Sequence, residues 1–191
     1  MCWLRTCKYL VWNSLFAIEQ VFSTRRVYMN NNFNEFGKDV TITGENGLKL
    51  YGILAVPPDA KSIVVFAHGS GSSRLSSRNN FVARILQQHH HATLLMDLLS
   101  EDESRVRELV FNIPLLAGRL NFAKSWLQTQ KDCGALPIAF FGASTGAAAA
   151  LMASAQDPEG IFAVVSRGGR PDLAGNFLGR VRAPTLLIVG A

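Results

Sequence analysis

The sequence predicts an α/β fold, a mostly parallel sheet with helices on both faces, and three observations carry that prediction. Apolar runs rich in β-branched residues recur at 62–67, 92–96, 137–141, 161–165 and 185–189, too continuous for strands with one wet face. Stretches with helical spacing of apolar residues separate them, as in successive strand-helix-strand units. Glycine-rich turns follow directly on the first and third runs, at His68-Gly69-Ser70-Gly71 and Gly142-Ala143-Ser144-Thr145-Gly146. With 191 residues, 48% of them hydrophobic, the chain suits one domain with a sizeable core.

Residues 1–37 read as an N-terminal extension, helical or poorly ordered, and residues 38–191 as the domain. The apolar stretch 9–22 is broken by Asn13, Ser14, Glu19 and Gln20 and is too short to span about 30 Å of hydrocarbon, so no transmembrane helix is expected. Arg5 and Lys8 precede it, but no small-residue cleavage site follows, which disfavours a signal peptide. The Asn-rich stretch 30–37 reads as a linker. Val40 and Ile42 then alternate with Thr41 and Thr43, Gly44-Glu45-Asn46-Gly47 supplies a turn, and residues 48–56 return, which predicts an antiparallel hairpin closed by Pro57-Pro58.

Residues 62–67 read as the buried central strand. Phe81, Val82, Ile85 and Leu86 mark a helix before the strand at 92–96. Leu116, Leu120, Ala123 and Leu127 mark another, with Pro114 tolerated in its first turn. The strand at 137–141, an Ala-rich helix at 147–155, and strands at 161–165 and 185–189 complete the pattern.

Composition excludes several function classes. Nineteen Lys and Arg against 14 Asp and Glu give a charge of +5, spread along the chain rather than gathered into a stripe, so nucleic-acid binding is not expected. Cys2, Cys7 and Cys133 have neither metal-ligand spacing nor the density of a disulfide framework, which suits a reducing cytoplasm. His89, His90 and His91 are consecutive, and neighbouring residues on a helix point apart, so a solvated helix end is expected there and no metal. Asp97, Glu101, Asp102 and Glu103 read as a solvated loop and helix start rather than a catalytic carboxylate pair.

The chemistry centres on Ser144. The G-x-S-x-G pattern between an apolar strand and an Ala-rich helix predicts a sharp turn that strains the serine backbone and projects the hydroxyl at the carboxyl edge of the sheet. Small residues two before and two after it are needed where neighbouring backbone passes close. In such a turn the N–H of Thr145 is one oxyanion donor, and the loop after the central strand, near Ser70, supplies the other. A dinucleotide or phosphate loop at Gly69-Ser70-Gly71 competes, but no third glycine falls in place and no Gly-Lys-Ser/Thr occurs.

Residues 68–78, Asp97-Leu98-Leu99, residues 141–150 and residues 165–175 together resemble the dienelactone-hydrolase-like branch of the α/β-hydrolases, over roughly 38–191. The resemblance implies the α/β-hydrolase fold and a cofactor-free hydrolase of a small-molecule ester or lactone, with serine rather than cysteine at the nucleophile position. Members of that branch also occur fused to phosphoribosyltransferase-type domains, and none is expected within these residues. Gly69, Gly71, Arg74 and Arg167 are the expected substrate-binding residues. For Arg74, Arg78, Arg167 and Arg170 two readings stand: they bind a carboxylate or phosphate on the substrate, or they bond loop carbonyls and hold the loops in shape.

A serine hydroxyl needs an imidazole within hydrogen-bond reach and a carboxylate to orient it. In this fold both follow the serine, the acid beyond the strand at 185–189 and the histidine later, so the chain reads as lacking the last strand and helix. His68 reads as a member of the oxyanion loop rather than a substitute base, and Asp172 as a displaced acid at most. Two functions follow: an interrupted serine hydrolase, inactive or weak in this form, or a non-catalytic binding or interaction protein. A sheet edge left bare would make self-association possible.

Overall fold

The computed structural model describes residues 37–44 and 47–190. The expectations for the extension, its cysteines and the stretch 9–22 lie outside the described residues, as do Glu45 and Asn46 of the hairpin turn. A seven-stranded sheet runs in the order β1-β2-β4-β3-β5-β6-β7. Strands β1 (Gly37–Thr43) and β2 (Lys49–Ala55) form the antiparallel hairpin, and β2 pairs antiparallel with β4 (His91–Met96). From β4 onward the pairing is parallel through β3 (Ser62–Ala67), β5 (Ile138–Ala143), β6 (Ala163–Arg167) and β7 (Thr185–Ile188). The run at 62–67 is thus the middle strand, buried beyond its first residue, because strands flank it on both sides and helices cover both its faces.

Two apolar layers hold the sheet. On one face α4 (Ile113–Gln128) and α5 (Thr145–Gln156) pack on each other and on the sheet. Leu116, Leu120, Ala123 and Leu127 are all buried, and α5 is buried along its entire face from Thr145 to Ala155, which is why its sequence is apolar all round rather than amphipathic. On the other face α1 (Ser77–Gln88) covers Phe66, Leu95, Phe141 and Val165 with Val82, Ala83 and Leu86. Phe81, expected on the packed side of this helix, is 43% exposed; one helical position away from Val82, it turns outward.

Several elements escape the periodicity. Short turns α2 (Glu101–Ser104) and α3 (Arg107–Val110) follow β4, and a 3₁₀ segment, Pro171–Arg180, broken at Gly175 (φ 54°), follows β6. They are too short or too irregular to show a helical period. The run at 161–165 shifts to β6, which ends on Arg167, so the strand delivers a cation to the carboxyl edge. Ser100 caps α2 in a reciprocal box with Glu103, and Glu103 also accepts from Arg119 on α4 at 2.7 Å, which ties the α2 segment to the body. No helix among the described residues is long and apolar enough to cross a membrane.

Candidate active site

β5 delivers Ser144 into the turn that its sequence predicts. Its backbone sits at φ 51°, ψ −124°, a region that side chains with a Cβ rarely occupy, and α5 begins at the next residue. The flanking glycines explain how the turn is accommodated. A Cβ at Gly142 would lie 2.7 Å from the Ala147 nitrogen; at Gly146 it would lie 2.7 Å from the Ala67 carbonyl carbon and closer still to the oxygens of Ala67 and His68. The end of β3 therefore crosses directly over the first turn of α5. The Ser144 carbonyl accepts from Ala147 N–H (3.1 Å) and Arg170 N–H (3.2 Å), which anchors the bend from both sides.

The loop after β3 packs against this turn. Gly69 is the contact point, since a Cβ there would lie 2.9 Å from Ser144 Cβ. Leu98 N–H donates to His68 Nε2 at 3.1 Å, so Nδ1 carries the ring proton and donates to Gly69 O at 2.9 Å. With both nitrogens occupied, His68 clamps the loop between β3 and the segment after β4; burial lowers its pKa and keeps the ring neutral. The Ser70 N–H donates to Thr145 Oγ1 at 3.0 Å. Gly71 turns the loop with φ 71°.

Of the two readings for Arg74, the side chain's contacts suit the one in which it holds a loop in shape, here through a carboxylate rather than loop carbonyls. Its N–H donates to Asp97 Oδ1 at 2.7 Å, its guanidinium pairs with Asp97 Oδ2, and it lies 5.6 Å from the centre of the Tyr51 ring. Asp97 is accordingly not the solvated loop residue its sequence suggests: its side chain is only 16% exposed, because it must neutralise and fasten Arg74. Arg170 and Asp172 pair with each other on the surface at 2.7 Å. The hydrogen bonds from Arg170 hold the Asp172 carboxyl below the usual range. Arg167 is the register partner of Ala143, beside the serine, but its guanidinium reaches across to Asn79 on α1.

A cavity of about 460 Å³ opens beside Thr145, between the 69–74 loop and the segment after β4. Leu98, Leu99, Val110 and Leu116 give it apolar walls, Tyr51 and the Arg74–Asp97 pair close one side, and Ser70, Ser100 and Ser104 add hydroxyls. Sequence reasoning did not single out Tyr51, Leu98 or Leu116 for this role, because they come from three separate elements. Ser70, Thr145, Gly69, Gly71 and Arg74 line the cavity, whereas Arg167 does not, and neither does Ser144, which precedes the lining residue Thr145.

None of the four histidines reaches Ser144. His90 donates to Pro58 O (3.2 Å) and His91 Nδ1 bonds Ser62 Oγ (2.8 Å), both at the amino end of the parallel strands, the edge opposite the serine. His89 caps the end of α1 at that same edge. Among the described residues the Ser144 hydroxyl has no hydrogen-bond partner, and no imidazole stands beside it to serve as its base.

No protein-family model matches the chain. Two curated Mycobacterium tuberculosis proteins, from different strains and both provisionally named phosphoribosyl transferase, are 60% identical to it over 139 residues, which is 73% of this chain. The match spans only 31% of the length of those relatives. A dienelactone hydrolase from Anabaena variabilis, known from its crystal structure, is 53% identical with a TM-score of 0.77, over 81% of this chain and 73% of its own. A dienelactone hydrolase-like promiscuous phosphotriesterase from metagenomic libraries shares the fold at 20% identity and a TM-score of 0.65, over 81% of this chain and 68% of its own. At 53% identity over 73% of the Anabaena protein, the likeness is close enough that the chain belongs to the dienelactone hydrolase family of α/β-hydrolases.

Proposed function

We propose that Ser144 is the nucleophile of a serine hydrolase that cleaves a small carboxylic ester or lactone through an acyl-enzyme. The observation that supports it most is the positive φ of Ser144, held between two glycines that admit no Cβ, since strain of this kind persists where it presents a reactive group. In the reaction Ser144 Oγ bonds to the carbonyl carbon and gives its proton to a base. The alkoxide leaves with that proton, and water then releases the acid. Thr145 N–H and Ser70 N–H face the oxyanion. For Ser70 to do so, the Thr145 hydroxyl that now accepts from it turns aside. The cavity beside Thr145 holds a small acyl or alcohol group, with Gly69 and Gly71 giving it a backbone wall and Arg74 keeping that wall in shape.

Among the described residues no group stands ready to act as that base, so slow or no turnover is the outcome expected of this reading. A second reading, a non-catalytic binding or interaction protein, draws on the same observation. The phosphoribosyl transferase name belongs to relatives about three times as long as the matched stretch, and we do not extend that activity to the hydrolase-like sheet.

Labelling with a fluorophosphonate, with and without added imidazole, separates the readings. The expected result is slow modification that free imidazole accelerates and that Ser144→Ala abolishes. Labelling that persists in Ser144→Ala, or no labelling of Ser144 under either condition, overturns the nucleophile assignment. Rapid hydrolysis of an activated ester without imidazole, lost in Ser144→Ala, overturns the expectation of weak activity.

A further inference from the structure

Arg167 is half-buried at the carboxyl end of β6, yet among the described residues neither it nor Arg78 pairs with a carboxylate. Six other cations, Arg74, Arg105, Arg119, Lys124, Arg170 and Arg182, each do. What Arg167 has instead is neutral: Asn79 Oδ1 at 3.2 Å from Nη2 and the Phe141 ring, whose centre lies 5.8 Å from Cζ. Its Nε is buried with no partner. Burial disfavours its charged form, and the exposed Arg78 on the same turn as Asn79 adds like-charge repulsion. A half-buried guanidinium with only neutral partners costs stability that a glutamine at position 167 would avoid.

The helix beneath them adds to the field. α1 has 12 residues and no acidic residue in its first turn. The N–H groups of Ser77 and Arg78 have no acceptor within an α-helix, and the positive end of the helix lies among them. A singly charged carboxylate would leave one cation uncompensated, whereas a phosphate dianion neutralises both and has oxygens for the guanidinium forks and the free N–H groups.

We infer that Arg78 and Arg167, at the first turn of α1, form a binding site for the phosphate of a small phosphomonoester, outside the cavity beside Thr145. Arg167 lies in register with Ala143, next to the serine, so a phosphate held there belongs to a remote part of the molecule presented to Ser144. That placement rests on the proposed hydrolase reading; the binding itself does not.

The test is thermal melting and calorimetric titration with inorganic phosphate at constant ionic strength, with acetate as the carboxylate arm. Phosphate is expected to bind saturably and to raise the Tm, and acetate to bind at least about tenfold more weakly. Arg78→Gln is at an exposed position and should fold normally while losing about tenfold or more in phosphate affinity; Arg167→Gln should lose as much, and Arg167→Lys less. Absence of saturable binding, phosphate affinity unchanged in Arg78→Gln, or acetate binding as tightly as phosphate overturns the site. Ser144→Ala should bind phosphate like the unmodified chain, so a failed labelling experiment leaves this inference standing and a failed titration leaves the nucleophile standing.

Discussion

If the Ser144 turn is strained, removing its Cβ should stabilise the protein. A residue with a side chain in a sparsely populated backbone region carries on the order of 1–3 kcal/mol of strain. Glycine occupies φ 51° freely but loses roughly 0.5–1 kcal/mol more backbone entropy on folding. The appropriate reference is alanine, which keeps the Cβ and its strain and removes only a hydroxyl that has no hydrogen-bond partner among the described residues. Ser144→Gly is therefore expected to exceed Ser144→Ala by up to about 2.5 kcal/mol, with a central value of about 1 kcal/mol. For a domain of this size the central value is a Tm difference of about 2–4 °C, with a higher urea midpoint and an unchanged m-value. Loss of the Cβ packed on Gly69 works in the opposite direction and places the result toward the lower end. A glycine variant that melts clearly below the alanine variant would falsify the strained turn, and with it the main support for Ser144 as nucleophile. The assay needs no turnover, so it reads the geometry independently of the base.

Two further perturbations address the neighbours of the turn. Gly146→Ala drives a methyl into the carbonyls of Ala67 and His68 at the end of the middle strand, where neither backbone can move without breaking the sheet; a loss of about 3 kcal/mol or more is expected in urea denaturation, and near-normal stability would mean that β3 does not cross α5 closely. The neutral, half-buried His68 makes stability depend on pH. Its folded pKa lies below the ordinary value near 6.5, so as pH falls the unfolded chain takes up the proton first, and stability present above about pH 6.5 is lost as pH falls toward the lowered pKa. Comparing urea midpoints at about pH 7.5 and about pH 5.5, His68→Gln should show a shallower loss, with the remainder due to His91, whose pKa burial shifts the same way; an equal or steeper loss in the variant would refute the clamp.

What the sequence by itself determined is what short-range patterns encode. Unbroken β-branched runs specified the buried parallel strands, the alternation from Val40 to Thr43 specified the hairpin, and Leu116, Leu120, Ala123 and Leu127 specified the buried stripe of α4. The serine turn was legible because its glycines lie two residues either side and the strand and helix adjoin it. Only the tertiary structure decided which charges are spent. Arg74 meets Asp97 across 23 positions, and Ser70 N–H meets Thr145 across 75. Arg170 finds Asp172 two residues away, while Arg167 and Arg78 find no carboxylate among the described residues. In sequence these arginines are alike, each beside a glycine-rich loop or a strand end. The difference arises because an ion pair depends on the direction in which a side chain leaves the backbone and on what the strand order brings opposite it. The cavity follows the same logic, since β2, the segment after β4 and α4 become neighbours only when the sheet orders them around the end of β3.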